Sequence, residues 1–355
     1  MGEVRLVFIG FGNVGRALGR LLLAKRQELE QRYGLTWRAV GIATGGHGTI
    51  LDPDGIDLEA ACQILEQGGM LSDLPGAESA DGPLELLRAS GADILFENSP
   101  VDYASGQPAL EHIRTGLELG MHTVTANKGP IVHGYRQLAG LAQEKGRRFL
   151  FESTVMDGAP IFSLWRETLP AARLSGFRGV LNSTTNLILG LMEQGRSFDD
   201  AVAHAQAIGI AETNPSGDID GWDASVKVAA LVSVLMGHPI TPDHVDRKGI
   251  RQLTLEAILK AKEQGKRWKL VCQAERRNGQ VTATVQPMLL DSADPLYHVG
   301  GTSSAVTFWS DVLGPLTILE ADPGPQTTAY GLLADFVRAT TGELGWVPPS
   351  VKLGG

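Results

Sequence analysis

Cysteine is scarce: Cys62 and Cys272 are the only two in 355 residues. Two thiols in different halves of the chain make neither a disulfide framework nor a metal-ligand spacing, and they point to a reducing compartment. No block of lysine or arginine occurs either, and 31 basic against 40 acidic residues leave a net charge of −9. That removes the electrostatic footprint of a protein that binds nucleic acid or an anionic membrane. No apolar run reaches the roughly 18 residues that a membrane helix needs. The apolar start "VRLVFIG" is short and runs at once into glycines, unlike a signal peptide. These absences leave a cytoplasmic protein as the expectation, with neither nucleic acid nor membrane among its partners.

What remains is an ordinary globular composition, 43% hydrophobic and 20% charged, in a chain long enough for two or three domains. The first half alternates short apolar runs with helical patterns. Residues 4–9, 38–43, 94–96, 122–125 and 149–152 read as strands, and 13–32, 107–119 and 135–145 as helices, with a glycine-rich mobile loop over 44–55. That rhythm predicts a parallel sheet built from βαβ units. Beyond Glu152 the texture changes to α+β. "LSGFRGVLNSTTNLILGLMEQG" joins a strand to a helix, and "RWKLVCQAERRNGQVTATVQP" predicts a hairpin turning at Asn278-Gly279. "AVTFWS" and "GPLTILEA" read as further strands, and 327–340 as a closing helix.

"VFIGFGNVGRALG" sets Gly10, Gly12 and Gly15 in the G-x-G-x-x-G spacing, directly after a strand and at the opening of a helix. The first glycine permits the tight turn, the second lets a pyrophosphate approach the backbone, and the third lets helix and strand pack closely. A lone match is weak, but this context makes it a Rossmann-type fingerprint rather than a chance glycine turn. The expected fold is therefore α/β, divided into a dinucleotide-binding domain over 1–152, an α+β domain over 153–322, and a C-terminal helix over 323–355 that returns to the first. Between NAD and NADP the choice tilts to NADP. No acid ends the second strand to hold a ribose 2′-hydroxyl, Asp52 and Asp54 come late, and Thr44 and His47 are the polar candidates for a 2′-phosphate.

Ligands of an open parallel sheet gather beyond the carboxyl ends of its strands. "ENSPVD" puts Asn98, Ser99 and Pro100 at one such end, and "TANKGP" puts Asn127 and Lys128 at the next, where a solvated lysine would also be unremarkable. "FESTVMDGAP" follows the last strand and reads either as a cation-binding turn or, more simply, as a hinge. The stretch "AETNPSGDIDGWDASVK" is the densest in chemistry. Glu212, Asp218, Asp220 and Asp223 crowd a loop broken by glycine and proline, and Lys227 is then carried into the uncharged "VAALVSVLMG". Helix capping accounts for two of the acids, with Asp220 as N-cap and Asp223 at the capping-box position. Asp223 and Lys227, four apart, share a helix face. An ammonium in a buried helix costs several kcal/mol unless it is paired, so the cluster reads as a structural ion pair or as a catalytic one. In the catalytic reading two carboxylates hold a substrate ammonium while the lysine moves a proton.

Taken together, "GFGNVG", "ENSPVD", "TANKGP", "FESTV", "GVLNSTTNLIL" and "AQAIGIAETNPSGDIDGWDASVK" resemble homoserine dehydrogenase, from about Val4 to Gly237 and more loosely through "HVGGTSSAV" and "ADPGPQTTAYGLLAD". The resemblance implies a Rossmann domain with a catalytic and dimerisation domain. The implied reaction is the interconversion of L-homoserine and L-aspartate 4-semialdehyde, within threonine, methionine and isoleucine biosynthesis, by a homodimer with NAD or NADP as hydride carrier. It also implies that Lys227 relays the proton, that Glu212 and Asp223 hold the substrate, and that Asp218 supports the catalytic lysine or the substrate. The cofactor falls to Gly10, Phe11, Gly12, Asn13, Val14 and Gly15, to Ser99, Pro100 and Lys128, and to Gly324. A sodium site falls on Glu152, Val155, Asp157 and Ala159, although Met156-Asp157 replaces the usual run of small residues there. The chain ends near "VPPSVKLGG", and the expectation is a short form with neither an ACT domain nor an aspartate kinase. Two rivals remain. An acylating semialdehyde dehydrogenase or another two-domain NAD(P) dehydrogenase of a small amino-acid aldehyde or alcohol would share the fold, but the acylating chemistry needs a thiolate, and neither cysteine has a motif around it. A non-catalytic nucleotide sensor would share the fold too, with no reason to keep the acid cluster.

Overall fold

A computed structural model describes residues 2–342, and its first strand, β1 (Val4–Ile9), coincides with the opening apolar run. The side chains of β1 alternate between two cores. Leu6 and Phe8 join Leu18, Trp37 and Phe96, whereas Val7 and Ile9 join Val40, Leu86 and Leu95. A strand buried on both faces requires an uninterrupted apolar sequence, as parallel sheets do. β2 (Trp37–Ala43), β3 (Thr49–Leu51), β4 (Glu78–Ser79), β5 (Ile94–Glu97), β6 (His122–Thr125) and β7 (Phe149–Leu150) complete a sheet of spatial order β4-β3-β2-β1-β5-β6-β7. Strands β2, β1, β5, β6 and β7 run parallel, and β3 and β4 are antiparallel additions at one edge. The chain passes from β1 to β2 on one side and later returns to β5 on the other. The strand order therefore reverses between β1 and β5, where open α/β sheets bind their ligands.

The helices of this half are α1 (Asn13–Ala24), α2 (Arg26–Tyr33), α3 (Leu58–Glu66), α4 (Gly82–Ser90), α5 (Ala109–Glu118) and α6 (Gly129–Glu144). Several expectations are corrected here. The single helix expected over 13–32 is broken at Lys25, whose backbone leaves the helical region at φ −97°, ψ 3°. Helix α6 starts six residues before the expected Tyr135, because Pro130 lies in its first turn, where a missing N–H costs nothing. The loop over 44–55 holds strand β3, which pairs with β2 and buries Ile50. The strand expected to reach Glu152 ends at Leu150, and Glu152 enters a 3₁₀ turn.

The second half contains β8 (Leu174–Val180), β9 (Asp246–Arg247), β10 (Arg267–Arg277), β11 (Gln280–Leu290), β12 (Ser304–Ser310) and β13 (Leu316–Glu320) in one sheet of order β13-β12-β8-β10-β11-β9. Its long hairpin turns at Asn278 and Gly279, both at positive φ, as the Asn-Gly pair predicts. One face of the sheet is covered by α7 (Ser183–Glu193), α8 (Phe198–Ala207), the short α9 (Ser216–Ile219), α10 (Trp222–Leu235) and α11 (Leu255–Glu263). The closing helix α12 (Pro325–Thr341) does return: Ala329, Leu332, Leu333 and Phe336 enter the core of Leu6 and Phe8. The last part of the expected third segment, 343–355, lies outside the described residues. Among the described residues no helix is long and apolar enough to cross a membrane.

Candidate active site

The glycine loop sits at the switch between β1 and β5, and each glycine has its own reason there. Gly10 turns at φ +84°, and a Cβ on it would lie 2.3 Å from the backbone of Asn98. Gly12 faces open space, with nothing within 4 Å of where a Cβ would stand. A Cβ on Gly15 would lie 2.7 Å from the Gly10 carbonyl oxygen, so helix and loop could not pack as they do. The cradle that a side chain at Gly12 would fill, at the N-terminus of α1, fits the pyrophosphate of a dinucleotide. Phe11 turns its ring into the core, edge-on to Phe8, so it offers a ligand only its backbone. Asn13 opens α1 and lines a groove together with Arg16, Pro325 and Gln326, which brings the neighbourhood of Gly324 to the glycine loop. Val14 is half-buried beside it.

Beyond β5, Ser99 is fully engaged. Its N–H and its hydroxyl both donate to the buried Glu97 carboxylate, and its carbonyl accepts from Asn127 Nδ2 at 2.9 Å. What it retains for a cofactor is hydroxyl lone pairs and surface, next to the exposed Pro100. At the end of β2, Thr44 Oγ1 accepts from the His47 N–H at 2.8 Å, and His47 Nδ1 donates to the Gly69 carbonyl at 2.9 Å. Neither acid nor arginine follows that strand directly.

The acid–lysine cluster forms where the two halves meet. Helix α10 is buried along nearly its whole length, with Val226, Ala229, Ala230 and Leu231 in the core, and it carries Asp223 in its first turn and Lys227 one turn on. Lys227 Nζ donates to the Leu181 carbonyl at 2.6 Å and lies 3.1 Å from Asp223 Oδ2. From the first half, Lys128 Nζ approaches to 3.2 Å of Asp223 Oδ1. Lys128, expected on the cofactor side, thus joins the same cluster as Lys227. Asn182 Nδ2 donates to both Asp223 at 3.0 Å and Asp218 at 2.7 Å, while its Oδ1 accepts from Thr185 N–H and caps α7. One carboxylate is therefore gripped by two ammonium groups and an amide. Glu212 stands on the exposed rim of the same loop, and its charge reaches the Tyr103 phenol together with those of Asp218, Asp223 and Lys227.

The two central acids are driven apart. Burial pushes the Asp223 carboxyl up, but Lys227 and Lys128 outweigh it and hold Asp223 well below the usual carboxylate range. Burial and the Asp223 charge raise Asp218 above its ordinary value, against the hydrogen bond from Asn182. Carboxyl groups separated in this way are characteristic of acid–base sites.

The capping assignment is corrected. Gly221, in the left-handed region at φ 81°, precedes α10, and no side chain caps it. Asp220 instead ends α9 and forms a two-pronged pair with Arg251, at 2.6 and 3.1 Å. Asp223 is thereby free of capping duty. Two residues of the cluster had no assignment from sequence, Asn182 and Tyr103. The "LNSTTN" stretch announces Asn182 as a helix cap, but its bridge to acids 36 and 41 residues away leaves no local signal.

At the residues expected to hold sodium, several oxygens already accept bonds from the protein. Both Glu152 oxygens accept backbone N–H groups, from Phe162 at 2.6 Å and Ser163 at 2.8 Å, and Arg338 lies 3.4 Å away as the cation. The Ala159 carbonyl accepts from Ile161 N–H, and the Asp157 carboxylate accepts from Thr327. Val155 contributes a buried side chain to the core. The acylating rival's thiolate is disfavoured: burial pushes the Cys62 thiol up to about 11 and the Cys272 thiol up to about 12.

A family model described as homoserine dehydrogenase matches residues 160–337. Over 339 residues the chain is 35% identical to an NAD(+)-dependent homoserine dehydrogenase of Pseudomonas canavaninivorans, covering 95% of this chain and 96% of that one. It is 33% identical to a homoserine dehydrogenase of Methanocaldococcus jannaschii over 94% of its length and 97% of the relative. Its fold is similar to that of a hyperthermophilic archaeal homoserine dehydrogenase in complex with NADPH, with a TM-score of 0.81, 32% identity, and coverage of 96% and 98% of the two chains.

Proposed function

The chain belongs to the homoserine dehydrogenase family, and on that premise we propose that Lys227 moves the substrate's hydroxyl proton in a cleft whose acids hold the amino acid. It is an NAD(P)-dependent oxidoreductase that interconverts L-homoserine and L-aspartate 4-semialdehyde. The bound nicotinamide supplies the hydride chemistry, and the residues of this chain do the rest. Two of the three Lys227 donors go to Leu181 and Asp223, which leaves the third for the substrate oxygen. In the reducing direction the ammonium gives that oxygen its proton, and in the oxidising direction the amine takes it back. Asp223 orients both lysines, Asp218 is kept in register by Asn182, and Glu212 with Asp218 receives the substrate ammonium. Lys128, reaching Asp223 from the first half, links the cofactor side to the substrate side. The observation that carries this reading is Asp223 held between Lys227 and Lys128 at 3.1 and 3.2 Å.

The glycine loop (Gly10 to Gly15), Ser99, Pro100 and Gly324 line the dinucleotide path in this reading. NADP is used at least as well as NAD, because no carboxylate follows β2 to reject a 2′-phosphate. Residues 1–152 form the dinucleotide domain, 153–322 the catalytic domain, and α12 ties the two together. The protein is cytoplasmic and homodimeric, paired through the sheet of β8, β12 and β13, which exposes Trp309 and Leu319. Initial rates with homoserine and each cofactor test the core of this. Absence of turnover refutes the function, and a kcat/KM about tenfold or more in favour of NAD refutes the cofactor preference. A monomer by light scattering at micromolar concentration refutes the dimer.

A further inference from the structure

Resting on the homoserine dehydrogenase reading, we propose that Tyr103 contacts the substrate, closes the amino-acid end of its pocket and sets the chain length of the amino alcohol accepted. Tyr103 lies on the segment that follows β5, and that segment is pressed against the start of α6. A Cβ on Gly106 would lie 2.8 Å from the Gly129 backbone, and the Tyr103 carbonyl accepts from His133 Nε2 at 2.9 Å. From this fixed base the half-buried ring packs against a core that α5 and α6 share with the second half. There a Cβ on Gly217, the residue before Asp218, would lie 3.8 Å from its Cε2. Tyr103 thus reaches the acid loop from the first half, as Lys128 reaches Asp223 at the start of α10.

The charges acting on the Tyr103 phenol are those of Asp223, Asp218, Lys227 and Glu212. These four were singled out for chemistry from sequence, and the charges of all four act on this one phenol. Burial and the neighbouring carboxylates push the phenol well above its ordinary range, so it is a neutral donor throughout the working pH. A neutral group beside carboxylates does not compete with the substrate ammonium for them. It fills the volume next to the ammonium, so an amino alcohol one methylene longer must displace the ring. A methylene rejected by a pocket wall is worth about 10-fold or more in kcat/KM.

The test measures initial rates at saturating cofactor for wild type, Tyr103→Phe and Tyr103→Ala. The substrates are homoserine and its one-carbon-longer homologue, 2-amino-5-hydroxypentanoate. The Phe variant is expected to raise homoserine KM about three- to tenfold, with kcat within about twofold, since it removes one hydrogen bond and keeps the ring. The Ala variant is expected to raise the kcat/KM ratio of the longer over the shorter substrate by about tenfold or more. Cofactor KM is expected to stay unchanged in both. The proposal is overturned if both variants keep the wild-type homoserine KM and substrate ratio, or if only thermal stability falls. Wild-type turnover of homoserine checks the premise separately, and its absence overturns both.

Discussion

Replacing Lys227 by alanine separates a proton carrier from a structural cation. If the lysine transfers the proton, kcat is expected to fall by about 10²–10⁴-fold, or about 2.7–5.4 kcal/mol of transition-state stabilisation. The cost in stability follows from the partners left behind. The substitution removes the hydrogen bond to Leu181 and one of two ion pairs to Asp223. Asp223 keeps Lys128 at 3.2 Å and Asn182 at 3.0 Å, so its carboxylate is not stranded. The penalty of about 3–5 kcal/mol for an orphaned buried charge therefore does not apply. About 1.5–3 kcal/mol, the worth of a hydrogen bond to a charged group, is the better figure, and a protein of this size should survive it folded. The assay is kcat per folded molecule, from the absorbance of reduced cofactor, with the folded fraction fixed by denaturant titration and cofactor affinity by fluorescence. Because the glycine loop is untouched, cofactor affinity should hold. A kcat within about threefold of wild type, alongside lowered stability, would refute the reasoning and leave the cluster an ion pair.

Glu212→Gln is expected to act chiefly on homoserine KM, leaving kcat nearly intact, because in the proposed mechanism the rim carboxylate holds substrate and moves no proton; steady-state kinetics decide it. Asp220→Ala loses a half-exposed pair with Arg251, 32% and 46% accessible, and should cost only about 0.2–1 kcal/mol in urea titrations, with kcat spared. Asp335 offers a pH test. Burial and the Glu152 charge push its carboxyl up to about 7, against about 3.9 in an unfolded chain. The folded state therefore holds this proton more tightly, and the resulting stability, fully present below the unfolded value, is lost as pH rises through about 7. Asp335→Asn cannot ionise, so its stability relative to wild type should improve between about pH 4 and about pH 7 and level off above that. A difference independent of pH would show that Asp335 is not the titrating group.

Where a residue's neighbours in sequence were also its neighbours in space, the chain could be read directly. The apolar run of β1, the Asn278-Gly279 turn and the glycine loop with its strand before and helix after depend on a few adjacent φ/ψ choices and side-chain periods. The return of α12 was legible for a related reason, since its apolar face had to be buried somewhere and the first core was open to it. Local chemistry misled where two local uses competed. Gly129-Pro130 looks like a stop, yet proline is tolerated in a first helical turn, and α6 begins there. Asp220 has the composition of an N-cap, but Arg251, 31 residues on, recruits it instead. What tertiary structure alone decided is which charges meet. The Asp223–Lys227 pair was legible from its four-residue spacing, but Lys128, just beyond β6, joins it from the other half, Asn182 ties Asp223 to Asp218, and Tyr103 reaches Gly217 beside Asp218. Such encounters rest on Coulomb attraction and desolvation between segments that only the packed cores bring within a few ångströms, so no spacing along the chain could announce them.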